Sequence, residues 1–363
     1  MSWLDIEGHD RVADRFRAIL ASGRLASSYL FVGPAGCGKR TFALRLAECL
    51  LCESTSADPL AACGQCEACQ QVRAGTHPDL IFIARPEDKQ VIPVDLLIGD
   101  DEHRGREGLC HDLSLKPFRA DRRVAILDDA DDLNEEGANC LLKTLEEPPP
   151  HSLLILIGTS AEKQLPTIRS RCQIVHFRPL GVDIAARLLV EQGVVEDLER
   201  ARLLARIAGG SLTQAARLAD EELWKFRGEL MRGLAELPRR SFALARAVTA
   251  CVEAAGKEAP RRRARAVILI GFAVDYYYAL LHRLVAAEAT DPAGVEVDAG
   301  DADLDAAVTR AVSAAAGEVD GVAEAIDRCL AAEAHVGRNA NLATLVDSWI
   351  ADLADLQARM VAC

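Results

Sequence analysis

The chain has 363 residues, half of them apolar, and a formal charge of −13. That length exceeds what one ordinary core supports and points to two or three domains, while the acidic balance excludes a protein that coats nucleic acid by bulk charge. The opening Met1-Ser-Trp-Leu-Asp-Ile-Glu7 has neither a basic leader nor an apolar one, and no uninterrupted apolar run approaches the ~20 residues of a membrane span, so a cytoplasmic protein without membrane contact is expected.

In chain order, short apolar runs at Ser28 to Val32, Leu80 to Ala84, Val124 to Leu127, Leu153 to Gly158 and Ile174 to Phe177 alternate with helical patterns. The alternation predicts an α/β domain with a doubly wound parallel sheet over residues 1–178, any nucleotide lying at the carboxyl ends of the strands. Eleven of the 14 prolines fall at or before Pro179, and the remainder of the chain is rich in Ala, Leu, Arg and Glu with apolar residues three and four apart, so it should be helical. A small helical lid is placed at 179–222, closing soon after Gly209-Gly210-Ser211. An all-helical domain at 223–363 comes next, interrupted by an acidic Gly- and Asp-rich loop near 290–303. The polar stretch Gly99 to His111 has no evident role. The clusters Arg119 to Arg123 and Arg261-Arg262-Arg263 read first as solvated faces and only second as nucleic-acid contacts.

In a reducing compartment the 12 cysteines are thiols or metal ligands rather than disulfides. Cys52, Cys63, Cys66 and Cys69 give one ligand, a ten-residue loop, then Cys-x2-Cys-x2-Cys. Four thiolates so spaced can close a tetrahedron around zinc at ~2.3 Å per bond, and a site without an open position is structural. An iron–sulfur cluster, or four unrelated buried cysteines, are the weaker alternatives. The other eight cysteines have no partner at metal spacing and read as packing residues.

Gly33-Pro-Ala-Gly-Cys-Gly-Lys39-Arg40 has the spacing of a phosphate-binding loop: Gly33, Gly36 and Gly38 let backbone N–H groups converge on a phosphate at a helix start, and Lys39 neutralises its charge. Arg40 stands where a magnesium-binding hydroxyl is expected. Thr41 comes one residue late, about 100° further around the helix. ATP with magnesium is therefore a doubtful cofactor, and an unliganded strand-to-helix turn is the bland alternative.

Three further blocks carry a resemblance: Val124-Ala-Ile-Leu-Asp128-Asp129, Leu141-Leu-Lys-Thr-Leu-Glu-Glu-Pro-Pro149 and Leu165-Pro-Thr-Ile-Arg-Ser-Arg-Cys172. With the Gly-rich loop they resemble the delta-prime family of bacterial DNA polymerase III clamp-loader subunits, which are AAA+ proteins, over residues 5 to about 215. The resemblance implies that Asp128 is the magnesium-associated carboxylate and that Asp129 replaces a catalytic Glu, a shortening that withdraws the proton acceptor by roughly one carbon–carbon bond. It implies sensor 1 hydroxyls at Thr159 and Ser160, against ordinary strand-end capping. It also implies a sensor 2 segment at Gly210-Ser-Leu-Thr-Gln214 that lacks an arginine at its start, Arg217 lying one turn later. Hydrolysis by the chain alone should be weak or absent. Arg171 in Ser170-Arg171-Cys172 would be an arginine finger acting across a subunit boundary, with Arg169 the lesser candidate; the competing role for either is an ion pair inside its own domain.

The resemblance further implies a collar at 223–363, with Arg338-Asn-Ala-Asn-Leu342 compatible with it, and membership of a pentamer-like hetero-oligomer with motor and delta-type subunits that places a sliding clamp on primer–template DNA. The chain would then be a stator. Two alternatives stand beside it: an ATP-hydrolysing motor subunit of the gamma/tau type, and a non-replicative AAA+ adaptor or helicase loader.

Overall fold

Five strands, β1 (Ser28–Val32), β2 (Leu80–Ile83), β3 (Arg123–Leu127), β4 (Ser152–Gly158) and β5 (Gln173–His176), form one all-parallel sheet in the order β2-β3-β4-β1-β5. The computed structural model describes residues 3, 6–54, 56–86, 89–288, 301–315, 318–338 and 340–362. The α/β class and the strands expected from the apolar runs are the ones observed, with ends shifted by one residue.

Alternation along each strand explains why the runs are continuously apolar. Tyr29, Phe31, Val124, Ile126, Leu153, Ile155 and Ile157 face one layer, while Leu30, Val32, Ala125, Leu127, Leu154 and Leu156 face the other. The first layer holds α1 (Asp10–Ala21) and α2 (Lys39–Leu51), and there Trp3, Phe16, Tyr29, Phe31, Phe42 and Phe177 form a chain of ring contacts with centroids 4.7 to 6.4 Å apart. The short α3 (Glu67–Ala74) is tied to α2 through Glu48, only 1% exposed, whose carboxylate takes Arg45 at 2.7 Å and Arg73 at 2.9 Å.

The second layer holds α4 (Asp95–Ile98), α5 (Leu109–Ser114), α6 (Glu135–Glu146) and α7 (Pro166–Arg169). Between α4 and α5 lies the polar stretch that the sequence left unexplained. It is a closed loop: Gly105 N–H donates to the Ile98 carbonyl (2.7 Å), and a Cβ on Gly108 would sit 2.7 Å from the backbone of Ile98 and Gly99. Its tip is polar because only its ends, at Leu97 and Leu109, enter the core.

Three more helices complete this part of the chain, α8 (Val182–Glu191), α9 (Leu198–Ile207) and α10 (Leu212–Leu218). The contacts divide the chain into two compact units, Met1–Arg217 and Leu218–Cys363. The second unit contains α11 (Glu221–Ala235), α12 (Ser241–Ala254), α13 (Ala259–Glu288), α14 (Ala302–Ala315), α15 (Val319–Gly337) and α16 (Leu342–Ala362). One helix of it, α13, is long and apolar enough to cross a membrane by length and composition, although no uninterrupted run suggested it; 56% of that stretch is buried inside the unit, against α15 above all. Most of the acidic loop expected near 290–303 lies outside the described residues, as does Asn339 in the Arg338-Asn-Ala-Asn-Leu run.

Candidate functional site

β1 delivers the chain to Gly33 at the carboxyl edge of the sheet, between β4 and β5. Two glycines of the loop answer to close approaches. A Cβ on Gly33 (φ +154°) would lie 2.4 Å from the Phe177 carbonyl oxygen, and one on Gly36 (φ +72°) 2.5 Å from Ser211 Oγ. The segment leading into α10 therefore sits on the loop, and Leu212 N–H donates to the Gly36 carbonyl at 3.1 Å. Gly38, left-handed at φ +96°, is the N-cap from which α2 starts. Below it the buried His9 places Nε2 2.6 Å from the Cys37 carbonyl and its ring edge-on to Phe177. Burial lowers the His9 pKa, so the imidazole is neutral and donates that hydrogen bond. A lone histidine before α1 carries no signal of this at the level of sequence.

Lys39 is 7% exposed, and Nζ donates to the carbonyls of Gly33 (2.6 Å) and Pro34 (2.7 Å). Its charge is thus satisfied by the loop itself, and burial pulls its pKa down. Arg40 is exposed, stacks its guanidinium 4.5 Å from the Phe82 ring centroid, and brings Nη1 to 3.7 Å from Asp128 Oδ2. A permanently charged guanidinium therefore faces the Asp128 carboxylate. Desolvation, with the neighbouring Asp129 adding to it, raises the Asp128 pKa; Arg40 and Lys39 oppose the shift. Asp129 is exposed in the left-handed region (φ 55°), its N–H on Asp128 Oδ1 at 3.0 Å, and Thr41 is exposed on the first turn of α2.

Thr159 N–H donates to Asp131 Oδ2 at 2.8 Å and its hydroxyl to the same oxygen, while Gln164 Nε2 holds Oδ1 at 2.7 Å. Asp131 reaches in because β4 ends in Gly158, where a Cβ would stand 2.6 Å from that carboxylate. The Thr159 hydroxyl is engaged inside the domain. The Glu162 carboxylate is held below its usual pKa by its own backbone N–H and then by the Ser160 hydroxyl. Asp131, third in Asp128-Asp-Ala-Asp131 after the strand-end pair, was legible only as one more acidic residue.

Arg171 comes just after α7. Its Nη2 pairs with Glu146 at the end of α6 (2.7 Å) and Nη1 donates to the Thr167 carbonyl (2.9 Å), with 34% of the side chain exposed. Arg169 is exposed and makes no ion pair among the described residues. Arg217, on α10, is exposed as well.

The four cysteines singled out by spacing converge. Their Sγ atoms lie within 4.8 Å of one another, with Cys52 to Cys66 at 3.9 Å and Cys63 to Cys69 at 4.0 Å. A tetrahedron with ~2.3 Å metal–sulfur bonds needs sulfurs about 3.8 Å apart, so the set fits a metal ion. Backbone N–H groups already point at the sulfurs: Cys63 N–H to Cys52 Sγ (3.4 Å), Cys66 N–H to Cys63 Sγ (3.3 Å) and Cys69 N–H to Cys66 Sγ (3.4 Å). Such donors stabilise thiolates. A hydrogen bond from Ser54, with the N–H groups of Gln65 and Cys66, holds the Cys63 thiol down to about 6, whereas burial pushes Cys69 up.

The cluster is fastened to a loop that sequence reasoning missed. Arg119 pairs with Glu53, beside Cys52, and at 2.8 Å with Glu67, in the first turn of α3. The same loop is organised from inside by the fully buried Asp79, whose carboxylate accepts the N–H groups of Phe118 (2.6 Å), Arg119 (2.8 Å) and Ala120 (2.9 Å). Burial acts to raise the Asp79 pKa, but those three bonds together outweigh it and hold the carboxyl below its usual range. Part of the Arg119 to Arg123 cluster is thus structural, with Arg123 bonded to the Asp112 carbonyl at 2.8 Å.

Residues 8–181, which include the Gly-rich loop, the acidic end of β3, Arg171 and the four cysteines, match the family described as DNA polymerase III, delta subunit. This part of the chain is similar to that family. Three relatives are similar over 222 to 234 residues. DNA polymerase III subunit delta' of Pseudomonas aeruginosa is 35% identical over 222 residues, 60% of this chain and 63% of the relative. DNA polymerase III subunit delta' of Bacillus subtilis is 30% identical over 234 residues, 64% and 66%. DNA polymerase III subunit tau of Escherichia coli is 32% identical over 227 residues, 61% and 33%. The chain therefore spans somewhat under two thirds of the delta' relatives and a third of the tau relative, and the similarity reaches both delta' and tau subunits.

Proposed function

We propose that the chain is a clamp-loader stator of a cytoplasmic DNA polymerase III assembly. It joins motor and delta-type subunits in a pentamer-like hetero-oligomer, reaches the sliding clamp and primer–template DNA through that assembly, and donates Arg171 to a neighbour's ATP site. The observation that carries this reading over a motor subunit is Arg40, whose guanidinium 3.7 Å from Asp128 takes the place of a magnesium-binding hydroxyl. Gly33, Gly36, Gly38 and Lys39 keep the form of a phosphate cradle, and a nucleotide held there would have to displace Lys39 from two carbonyls. Asp129 and Thr159 would then position water and sense phosphate from an exposed left-handed residue and an engaged hydroxyl, which is poor geometry for turnover.

The chain alone should show no ATP turnover above background, and Lys39→Ala should change nothing measurable in a coupled assay. Turnover by the isolated chain that Lys39→Ala abolishes would make it a motor. Loading of the clamp should require the chain when motor and delta-type subunits of the same organism are reconstituted; full loading without it, or failure to co-purify with them, would move it to the non-replicative alternative.

Cys52, Cys63, Cys66 and Cys69 are proposed to hold structural zinc, which closes the excursion between α2 and α3 that has little core of its own. Metal analysis of protein kept reduced is expected to give one zinc per chain. Removing it with a chelator should raise amide exchange at residues 52–69 and, through Arg119, at 117–120, while the strands stay protected. Metal-free protein with unchanged exchange would remove the zinc assignment.

A further inference from the structure

A cleft of about 500 Å³ opens in the helical unit where α12, the start of α13 and the start of α16 meet. Three cations, Lys257, Arg262 and Arg263, line it against one carboxylate, Glu253. Elsewhere in the same unit arginines meet acids: Arg265 with Asp220 at 2.8 Å, Arg283 with Asp305 at 2.7 Å, and the neighbouring Arg261 with Glu258 at 2.8 Å. Carboxylates outnumber cationic side chains 55 to 42 in the chain, so partners are in surplus. Yet among the described residues none of the three cleft cations makes an ion pair. Arg262 is steered by a bond from its Nε to the Gly256 carbonyl (2.5 Å), and Arg263 Nε is buried with no hydrogen-bond partner among the described residues. A buried, unpaired guanidinium nitrogen is costly unless something fills its place.

The start of α16 adds to the positive character. Asn341 caps it by accepting the Thr344 N–H at 3.2 Å, and the cleft is lined by Leu342 and Ala343, whose N–H groups have no intrahelical acceptor. Among the described residues no aromatic side chain lines the cleft, so it offers no platform for stacking a base. It is a concave site of small-ligand size lined by the three cations and by Val252 and Val346.

We propose that this cleft binds a phosphate group, either the phosphodiester of a nucleic-acid strand or a small free phosphate anion, through Lys257, Arg262 and Arg263. The proposal does not depend on the clamp-loader reading. The test uses the full chain carrying Lys39→Ala, so that the Gly-rich loop does not contribute. Inorganic pyrophosphate is titrated by calorimetry, and a fluorescent single-stranded oligonucleotide by anisotropy, at low salt. The Lys257→Gln/Arg263→Gln pair should weaken binding at least tenfold with unchanged circular dichroism and melting temperature, and Glu253→Gln should strengthen it several-fold. An oligonucleotide contacted by three cations should lose affinity with a log–log salt slope of about −2. Tight binding of the oligonucleotide, weakly displaced by pyrophosphate, identifies a strand as the source; the reverse order identifies the small anion. Absence of binding by both probes, or equal affinity in the chain with the intact cleft and in the paired variant, overturns the proposal.

Discussion

Replacing Arg171 with Ala in a reconstituted loader is expected to lower DNA- and clamp-stimulated ATP turnover by about 10³-fold or more, with subunit assembly unchanged. The magnitude is that of arginine fingers in GTPase systems, where a planar, permanently charged guanidinium meets charge spread over phosphoryl oxygens. In the chain by itself Arg171 lies on Glu146 at 2.7 Å, with the two side chains 34% and 50% exposed. An ion pair that open to water is worth only ~0.2–1 kcal/mol, so a neighbour's phosphate can draw the arginine away at little cost. Glu146→Gln should therefore leave turnover within a few-fold of the unmodified loader. Arg169→Ala is the informative comparison: both arginines come after Pro166, but Arg169 makes no ion pair among the described residues. Turnover measured on matched assemblies decides between them. A loss with Arg169→Ala and none with Arg171→Ala would move the finger two residues back, and no loss with either would leave the chain a scaffold.

The sheet was legible because its strands are buried on both faces, so each is an unbroken apolar run flanked by turn residues, and parallel pairing is the consequence of the helices between them. The cysteine cluster was legible for a different reason: its spacing is local, with Cys63 and Cys66 just before α3 and Cys69 in its first turn, where backbone N–H groups address the sulfurs. Partnerships set by the tertiary fold were not legible. Nothing in Asp128-Asp-Ala-Asp131 shows that the last carboxylate takes the Thr159 hydroxyl, because that bond depends on the missing Cβ of Gly158 at the end of another strand. The same holds for Asp79, an isolated acid between His77 and a strand, which turns out to organise a loop 40 residues away. Reading Arg119 to Arg123 as one basic face failed in part because charge density does not reveal that Arg119 is already divided between Glu53 and Glu67.

The helical unit contains a buried ion pair for which helical periodicity offers no warning, and Arg227→Met is expected to destabilise that unit by about 3–5 kcal/mol. Arg227, on α11, is 1% exposed. It pairs with Asp301 at the start of α14, and its guanidinium lies 5.0 Å from the Trp224 ring centroid and 5.3 Å from that of Phe272. Asp275 on α13 is in the same field: burial pushes its pKa up to about 6, Asp301 adds to the rise and Arg227 opposes it. Methionine fills much of the volume but leaves Asp301, whose side chain is 11% exposed, without its cation. The pH dependence carries the signature. An unfolded Asp275 releases its proton near ~3.9, whereas the folded one holds it to about 6, so the folded state binds the extra proton in between. This group's contribution to stability is greatest below pH ~4 and falls as pH rises to about 6, after which it is constant. Without Arg227 the folded pKa climbs further, so the variant should keep losing stability above pH 6 relative to the unmodified chain. Urea unfolding from pH 5 to 8, followed by the fluorescence of Trp224 and Trp349, measures that difference. A deficit that stays the same at every pH would mean that the loss is one of packing alone and that Arg227 does not serve as the counter-charge of Asp275 and Asp301.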